Sequence, residues 1–272
     1  MIGWLTRALL AHPLARGVDP DGPDAAGVHS RLIAKKPVLR RVYDDWYRAI
    51  QTALPPASAR VLEIGSGTGA LACVLPRLIK SDIRPTPDLG LRLDACRLPF
   101  ADACLEGIVM TNVLHHLPRP RDFLRDAART LSIGGRLIMI EPWVSRWSSV
   151  VYRRFHHEPF DTLTADWGFP PGRPMTAANG ALPWIIFQRD RVTFDQEFPT
   201  LEVERIEPGW PFSYLLSGGV SMRSMVPAAA ARMLCDFERK LDADTWAMFA
   251  LIVIRRRGAG VRALKSPRLN AR

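Results

Sequence analysis

Val61-Leu62-Glu63-Ile64-Gly65-Ser66-Gly67-Thr68-Gly69-Ala70-Leu71 is the stretch on which the fold turns. A short apolar run ending in glycines reads as a strand that feeds a tight turn. Glycine at alternate positions permits left-handed backbone and leaves no Cβ between the chain and a ligand lying over it. The residues that follow, ALACVLPRLI, read as a short helix of about two turns, broken or kinked where Pro76 removes a backbone donor.

Working outward, LIKSDI, LGLRLD, LEGIVMTNV and GGRLIMIE are further strand candidates, with FLRDAARTL as a helix before the last of them. Upstream, a helix is expected from Pro37 through Val38, Val42, Trp46 and Ile50 to the Pro55-Pro56 pair. After Pro142 the rhythm breaks into a stretch rich in Trp, Pro and Phe, before LEVERIE and the strongly apolar WAMFALIVIRRR close the pattern. Strands alternating with helices imply βαβ units. The expected architecture is an α/β, Rossmann-like, doubly wound sheet of seven mostly parallel strands, with an antiparallel closing strand and a substrate cap insertion. The expected organisation is an N-terminal helical extension over residues 1–56, a main domain over 57–255 with cap stretches at about 143–200 and 208–245, and a basic tail over 256–272.

The net charge of +10 suggests nucleic acid until it is located. Residues 255–272 carry seven bases and no acid, and residues 1–41 carry seven bases against three acids, so the body is close to neutral. A basic end of this kind attracts anionic surfaces without reading them specifically, so specific nucleic-acid binding is not expected, and peripheral contact with an anionic membrane surface stands beside the preferred reading of a solvated, frayed terminus. No apolar run approaches the roughly 18 to 20 residues of a membrane span, and the four cysteines form no CxxC pair, so a cytoplasmic setting with buried thiols is expected.

The six residues from Gly65 also fit the dinucleotide pattern GxGxxA, which keeps an NAD(P)-dependent oxidoreductase open. Glu63, two residues before the first glycine, and the third alternate glycine at Gly69 favour a sulfonium cofactor. Here the sequence resembles the class I S-adenosylmethionine-dependent methyltransferases, type 11-like. VLEIGSGTGAL resembles their first motif, SDI the end of their second strand, LRLDACRLPFADA the third-strand segment, IVMTNVLHHL the fourth strand and LSIGGRLIMIEP the fifth. The resemblance implies S-adenosyl-L-methionine as cofactor. It implies that Glu63, Gly65, Ser66, Gly67 and Gly69 cradle its amino-acid part with Asn112 nearby, that Asp82 and Ile83 meet the ribose, and that Asp94 and Ala95 meet the adenine. A carboxylate suits two adjacent hydroxyls, and a charged hydrogen bond contributes about 1.5 to 3 kcal/mol.

Methyl transfer asks the protein for position, exclusion of water and, for a hydroxyl acceptor, a base. Four of the six histidines come as the pairs His115-His116 and His156-His157. His116 and His157 are the candidate bases, beside the reading that they are ordinary turn residues. A metal site built from both pairs and Glu158 has no HxxxH spacing behind it and is not expected. Trp143, Trp147, Trp167 and Trp184 suggest a bulky, aromatic or lipid/glycan-linked acceptor, or equally the core of a subdomain, and Gly218-Gly219 suggests a hinge in a second wall. The expected reaction is methylation of a small-molecule or lipid/glycan-linked acceptor at oxygen. An RNA methyltransferase stays open as an alternative, although Thr111-Asn112-Val113-Leu114 lacks the Asn/Asp-Pro-Pro-aromatic grip on a flipped base.

Overall fold

The computed structural model describes residues 10–22, 24–56, 58–84, 90–156 and 158–258. Seven strands, β1 (Val61–Ile64), β2 (Leu78–Asp82), β3 (Leu91–Arg92), β4 (Leu105–Thr111), β5 (Leu131–Pro142), β6 (Leu201–Gly209) and β7 (Phe249–Arg256), form one sheet in the order β3-β2-β1-β4-β5-β7-β6. Strands β1 to β5 pair in parallel, and β7 runs antiparallel between β5 and β6. The mostly parallel sheet with an antiparallel closing strand is the architecture expected from the sequence. The carboxyl ends of β1, β2, β4 and β5 therefore share one edge, and the strand order reverses between β1 and β4, where open α/β sheets bind ligands.

Continuous apolar runs make the centre of this sheet. Leu137 to Ile140 in β5 and Phe249 to Ile254 in β7 are buried at every residue, as strands covered on both faces must be. Helix α1 (Ala25–Lys35) leads into α2 (Pro37–Ala53), which carries proline at its first turn and buries Val42, Trp46 and Ile50 at helical spacing against the sheet. Helix α3 (Pro120–Thr130) buries Phe123, Leu124 and Ala127 and runs directly into β5.

Several expectations need correction. The stretch ALACVLPRLI forms only a 3-10 turn at Ala70–Cys73, because Leu78 already opens β2 and Pro76 cannot extend a helix between them. Arg255 and Arg256 belong to β7 and Arg257 pairs with Glu202 of β6, so three charges assigned to the basic end belong to the folded body, two of them in the sheet. Cys96 and Cys235 are buried as expected, but Cys104 is half-buried and Cys73 is exposed. Beyond β5, helix α4 (Arg146–Phe155) starts with a capping box between Ser145 and Ser148. The following loop is irregular up to the turn Leu182–Trp184, and α5 (Arg191–Glu197) leads into β6. Trp167 proves to be core: it is 1% exposed, its indole donates to Asp190 at 2.8 Å, and Arg121 stacks on its ring at 4.2 Å. Gly218 and Gly219 are buried in a tight turn with φ of 74° and 50°, where a Cβ on Gly218 would strike the backbone of Met222 and Arg223. Lys36 donates to the carbonyls of Gly219 and Met222, so the pair serves close packing and not a hinge.

Candidate functional site

Every glycine of the Gly65–Gly69 loop is left-handed, with φ of 69°, 46° and 68° at Gly65, Gly67 and Gly69. A Cβ on Gly65 would overlap the Val113 side chain, so that glycine is required by the approach of the β4 loop as well as by its own torsion. Ser66 locks the loop to β2: its amide donates to Ser81 O at 2.8 Å and its hydroxyl accepts from Ser81 N at 2.9 Å. Asp82, 3% exposed at the end of β2, accepts from Gly67 N at 3.1 Å and from Arg84 N at 2.9 Å, with the Arg84 guanidinium 3.4 Å away. Asp82 thus joins the glycine loop while also capping its own turn. Ile83 beside it is exposed, and Arg84 reaches the N-terminal loop through Pro20 O at 3.0 Å. Asp94 is half-exposed, accepts from Cys96 N at 2.8 Å and faces Arg119, while Ala95 is buried next to it.

Two buried polar atoms around this loop have no partner, Glu63 Oε2 and Asn112 Oδ1. Asn112 follows β4 in a left-handed conformation, φ 55°, that only a few residue types adopt readily. Burial drives the Glu63 carboxyl up to about 7. Leaving such groups without a hydrogen bond costs about 1 to 3 kcal/mol each, so they mark a place where a ligand's polar atoms fit. A cation is the complement of Glu63. The residues present therefore fit S-adenosylmethionine, whose ammonium and sulfonium groups are cationic and whose ribose presents hydroxyls that suit a carboxylate. Tyr47 of α2, whose hydroxyl is bonded to Thr68, is pushed up by burial and then by Glu63.

At the ends of β4 and β5 the structure brings together a second group. His115 and His116 sit on a 3-10 turn (Leu114–His116), with ring centroids 4.1 Å apart. Glu141, fully buried in β5, accepts from Val113 N at 2.8 Å and Leu114 N at 2.7 Å through Oε1, and Oε2 lies 2.6 Å from His115 Nδ1. Glu158, from the loop after α4, approaches His115 Nε2 at 3.6 Å, His116 Nε2 at 3.9 Å and His156 Nδ1 at 3.8 Å. Burial alone would lower His115, but the Glu141 and Glu158 carboxylates outweigh it and raise it to about 9. Burial and then the His115 charge push His116 down to about 3. Of the two candidate bases, His116 is therefore neutral and beside this cluster, and His157 lies outside the described residues. Sequence reasoning missed Glu141, whose signal was an acid at the carboxyl end of a central strand. It also set aside Glu158, which no spacing ties to His115.

A cleft of about 420 Å³ lies beside β6, lined by Asp45, Trp210, Glu238 and Trp246 among others, and contains none of the expected cofactor residues.

Sheet order, glycine loop and the carboxylate ending β2 together define a Rossmann-like fold of the class I methyltransferase type. Residues 62–139, somewhat over a quarter of the chain, match the family model described as "Methyltransferase domain". The chain is similar to a demethylmenaquinone methyltransferase of Tropheryma whipplei (strain Twist), 33% identical over 113 residues that cover 35% of this chain and 47% of that protein. It is also similar to the polyketide synthase-nonribosomal peptide synthetase TwmB of Talaromyces wortmannii, 30% identical over 145 residues, which are 53% of this chain and 4% of that protein. The chain thus spans about half the length of the curated methyltransferase it matches. Among solved structures, geranyl diphosphate C-methyltransferase from Streptomyces coelicolor A3(2) superposes with a TM-score of 0.50 at 13% identity, covering 91% of each chain, which shows a shared fold.

Proposed function

We propose that this chain transfers a methyl group from S-adenosylmethionine to a small organic acceptor, at an acceptor oxygen. The observation that carries the reading is the pair of unpartnered buried atoms, Glu63 Oε2 and Asn112 Oδ1, set around a left-handed glycine loop at the reversal of strand order. When bound, the cofactor supplies an activated methyl carbon whose bond to sulfur breaks as the bond to the acceptor forms. The chain's residues bind and orient. Gly65, Ser66, Gly67 and Gly69 present backbone at contact distance, Glu63 supplies the counter-charge, and Asn112 offers its amide oxygen. Asp82 and Ile83 take the ribose, and Asp94 and Ala95 the adenine.

Buried aromatic pairs lie near the histidine turn and the loop after α4. Tyr214 stacks on Trp46 at 5.5 Å and Tyr152 on Phe160 at 4.7 Å, and burial followed by the Glu158 charge raises Tyr214 to about 12. The likeness to a demethylmenaquinone methyltransferase supports a small acceptor of that general kind. His116, with His157, is the proposed acceptor of the hydroxyl proton. Among the described residues no helix is long and apolar enough to cross a membrane. Met233 and Phe237 are exposed beside Arg232 and Lys240, which supports contact with an anionic membrane surface alongside the basic tail and so allows a lipid-linked acceptor. The division into an N-terminal extension, a methyltransferase domain with a cap and a basic tail belongs to the same proposal.

The test is S-adenosylhomocysteine release, followed with a panel of phenols, enols and quinols and with the site of methylation read by mass spectrometry. O-methylated product from a phenol or quinol is the expected result. Methylation at ring carbon would overturn the choice of oxygen, and turnover on RNA alone would overturn the small acceptor.

A further inference from the structure

We propose that His115 Nε2, His116 Nε2 and the Glu158 carboxylate form a binding site for one divalent transition-metal ion. The proposal uses no residue of the cofactor loop and is tested with metal alone; an ion held by His116 Nε2 would take that nitrogen out of the proposed proton transfer.

The donors come from two distant parts of the chain, the turn after β4 and the loop after α4, yet one ligand atom from each lies within 4.8 Å of the others. The two separations involving Glu158, 3.6 Å and 3.9 Å, exceed the roughly 2.7 to 3.2 Å of an N–H···O hydrogen bond. Nitrogen and oxygen ligands each bound at about 2.0 to 2.2 Å around a tetrahedral ion lie about 3.4 Å apart. The two carboxylate separations lie within about 0.5 Å of that spacing, and all three ligand atoms lie within 4.8 Å of one another.

The far side of each ring supplies an independent observation. His116 Nδ1 lies 3.2 Å from Ala177 O, and a carbonyl can only accept, so Nδ1 carries the proton and Nε2 presents its lone pair toward Glu158. His115 Nδ1 is held by Glu141 at 2.6 Å, and Glu141 is itself fixed by two backbone amides. A histidine that binds metal characteristically donates its other N–H to a carboxylate or a backbone carbonyl, which sets the tautomer and aims the ring. Both arrangements occur here side by side.

Charge points the same way. Glu141 is fully buried and His115 is 3% exposed, so two carboxylates share a nearly dry site with two imidazoles. A dication would balance the two carboxylates in place of the proton that His115 carries without it, and binding would release that proton. Two imidazoles and one carboxylate suit zinc, iron(II), cobalt(II) or manganese(II) better than magnesium or calcium, which favour all-oxygen ligands. Three protein ligands leave a coordination position for water or an acceptor oxygen, as catalytic sites do.

The experiment uses the full chain, with any purification tag removed and metal stripped by chelator. Cobalt(II) is titrated in and followed by its visible absorption, and zinc affinity is measured by competition with a chromophoric chelator. Wild type is expected to bind one ion per chain, and Glu158→Gln and His116→Gln are each expected to weaken binding by tenfold or more. Both variants should still bind S-adenosylmethionine and melt as cooperatively as wild type in chelator, which separates lost metal binding from lost fold. Glu158→Gln serves as the second variant should His116→Gln fail to fold. Wild type that takes up no stoichiometric ion, or folded variants that bind metal as wild type does, would overturn the proposal.

Discussion

At the ends of β1 and β4, Glu63 Oε2 and Asn112 Oδ1 are buried without partners, whereas at the end of β5 the Glu141 carboxylate is held by Val113 N, Leu114 N and His115 Nδ1. The two neighbourhoods share one edge of the sheet and bury comparable acids. One leaves Glu63 Oε2 without a hydrogen-bond partner, a cost that a bound cation would remove. The other surrounds its acid with donors, so its native state draws stability from it. On the proposed reading, ligand-binding and structural acids are distinguished by what surrounds them and not by burial.

The sharpest way to break this contrast is Glu141→Ala, which leaves His115 and two amides without their acceptor. Removing one partner of a buried charged network costs about 3 to 5 kcal/mol, so a loss of that size in chemical denaturation is expected. A loss below about 1 kcal/mol would mean that Glu141 is not the organising acid. Next in size is Asp82→Ala, expected to raise the dissociation constant for S-adenosylmethionine by about tenfold or more, as loss of a charged hydrogen bond does. Unchanged affinity in folded protein would reassign Asp82 to capping alone.

Glu63 sharpens the comparison through pH. Its carboxyl, near 7 when folded against 4.5 in an ordinary glutamate, keeps a proton that the unfolded chain releases. Between those values the unfolded state binds fewer protons, so the ligand-free protein should lose stability as pH rises through that window. A cationic ligand favours the ionised form, so S-adenosylmethionine affinity should rise by about tenfold between pH 5.5 and 7. Glu63→Gln should flatten both trends, as thermal melts and titrations at several pH values would show. A wild-type affinity that does not change over this range would remove Glu63 from the cation's site. The smallest effect is expected from truncation after Gly258. That cut preserves Arg256 and the Arg257–Glu202 pair, and it should leave melting and cofactor affinity unchanged. A marked loss of either would show that the tail packs on the domain.

Much of the first neighbourhood was legible in the sequence because its determinants are local. Alternate glycines, the preceding acid Glu63 and the strand-ending Asp82 occupy one short span, and left-handed torsions leave a compositional trace in glycine. The sheet was legible for the same reason, since strands buried on both faces are continuous apolar runs. The second neighbourhood was only half legible. His115 and His116 stand out as a pair, but their partner Glu158 approaches through a loop whose path depends on packing with no periodic signature. The tryptophans show the same limit: Trp167 fills core because Asp190 and Arg121 meet it in space, which composition alone does not distinguish from a pocket wall. Gly218 and Gly219 carried the usual signal of freedom, yet Lys36, far away in sequence, is what fixes them.

The central claim, that the loop from Gly65 to Gly69 with Glu63 and Asp82 holds S-adenosylmethionine, is tested most directly by calorimetric titration of the purified chain with S-adenosylmethionine, S-adenosylhomocysteine and NAD in parallel. Micromolar binding of the first two, with none of NAD, is the predicted result. Binding of NAD alone would contradict it, and would mean that Gly65, Gly67 and Ala70 serve a dinucleotide.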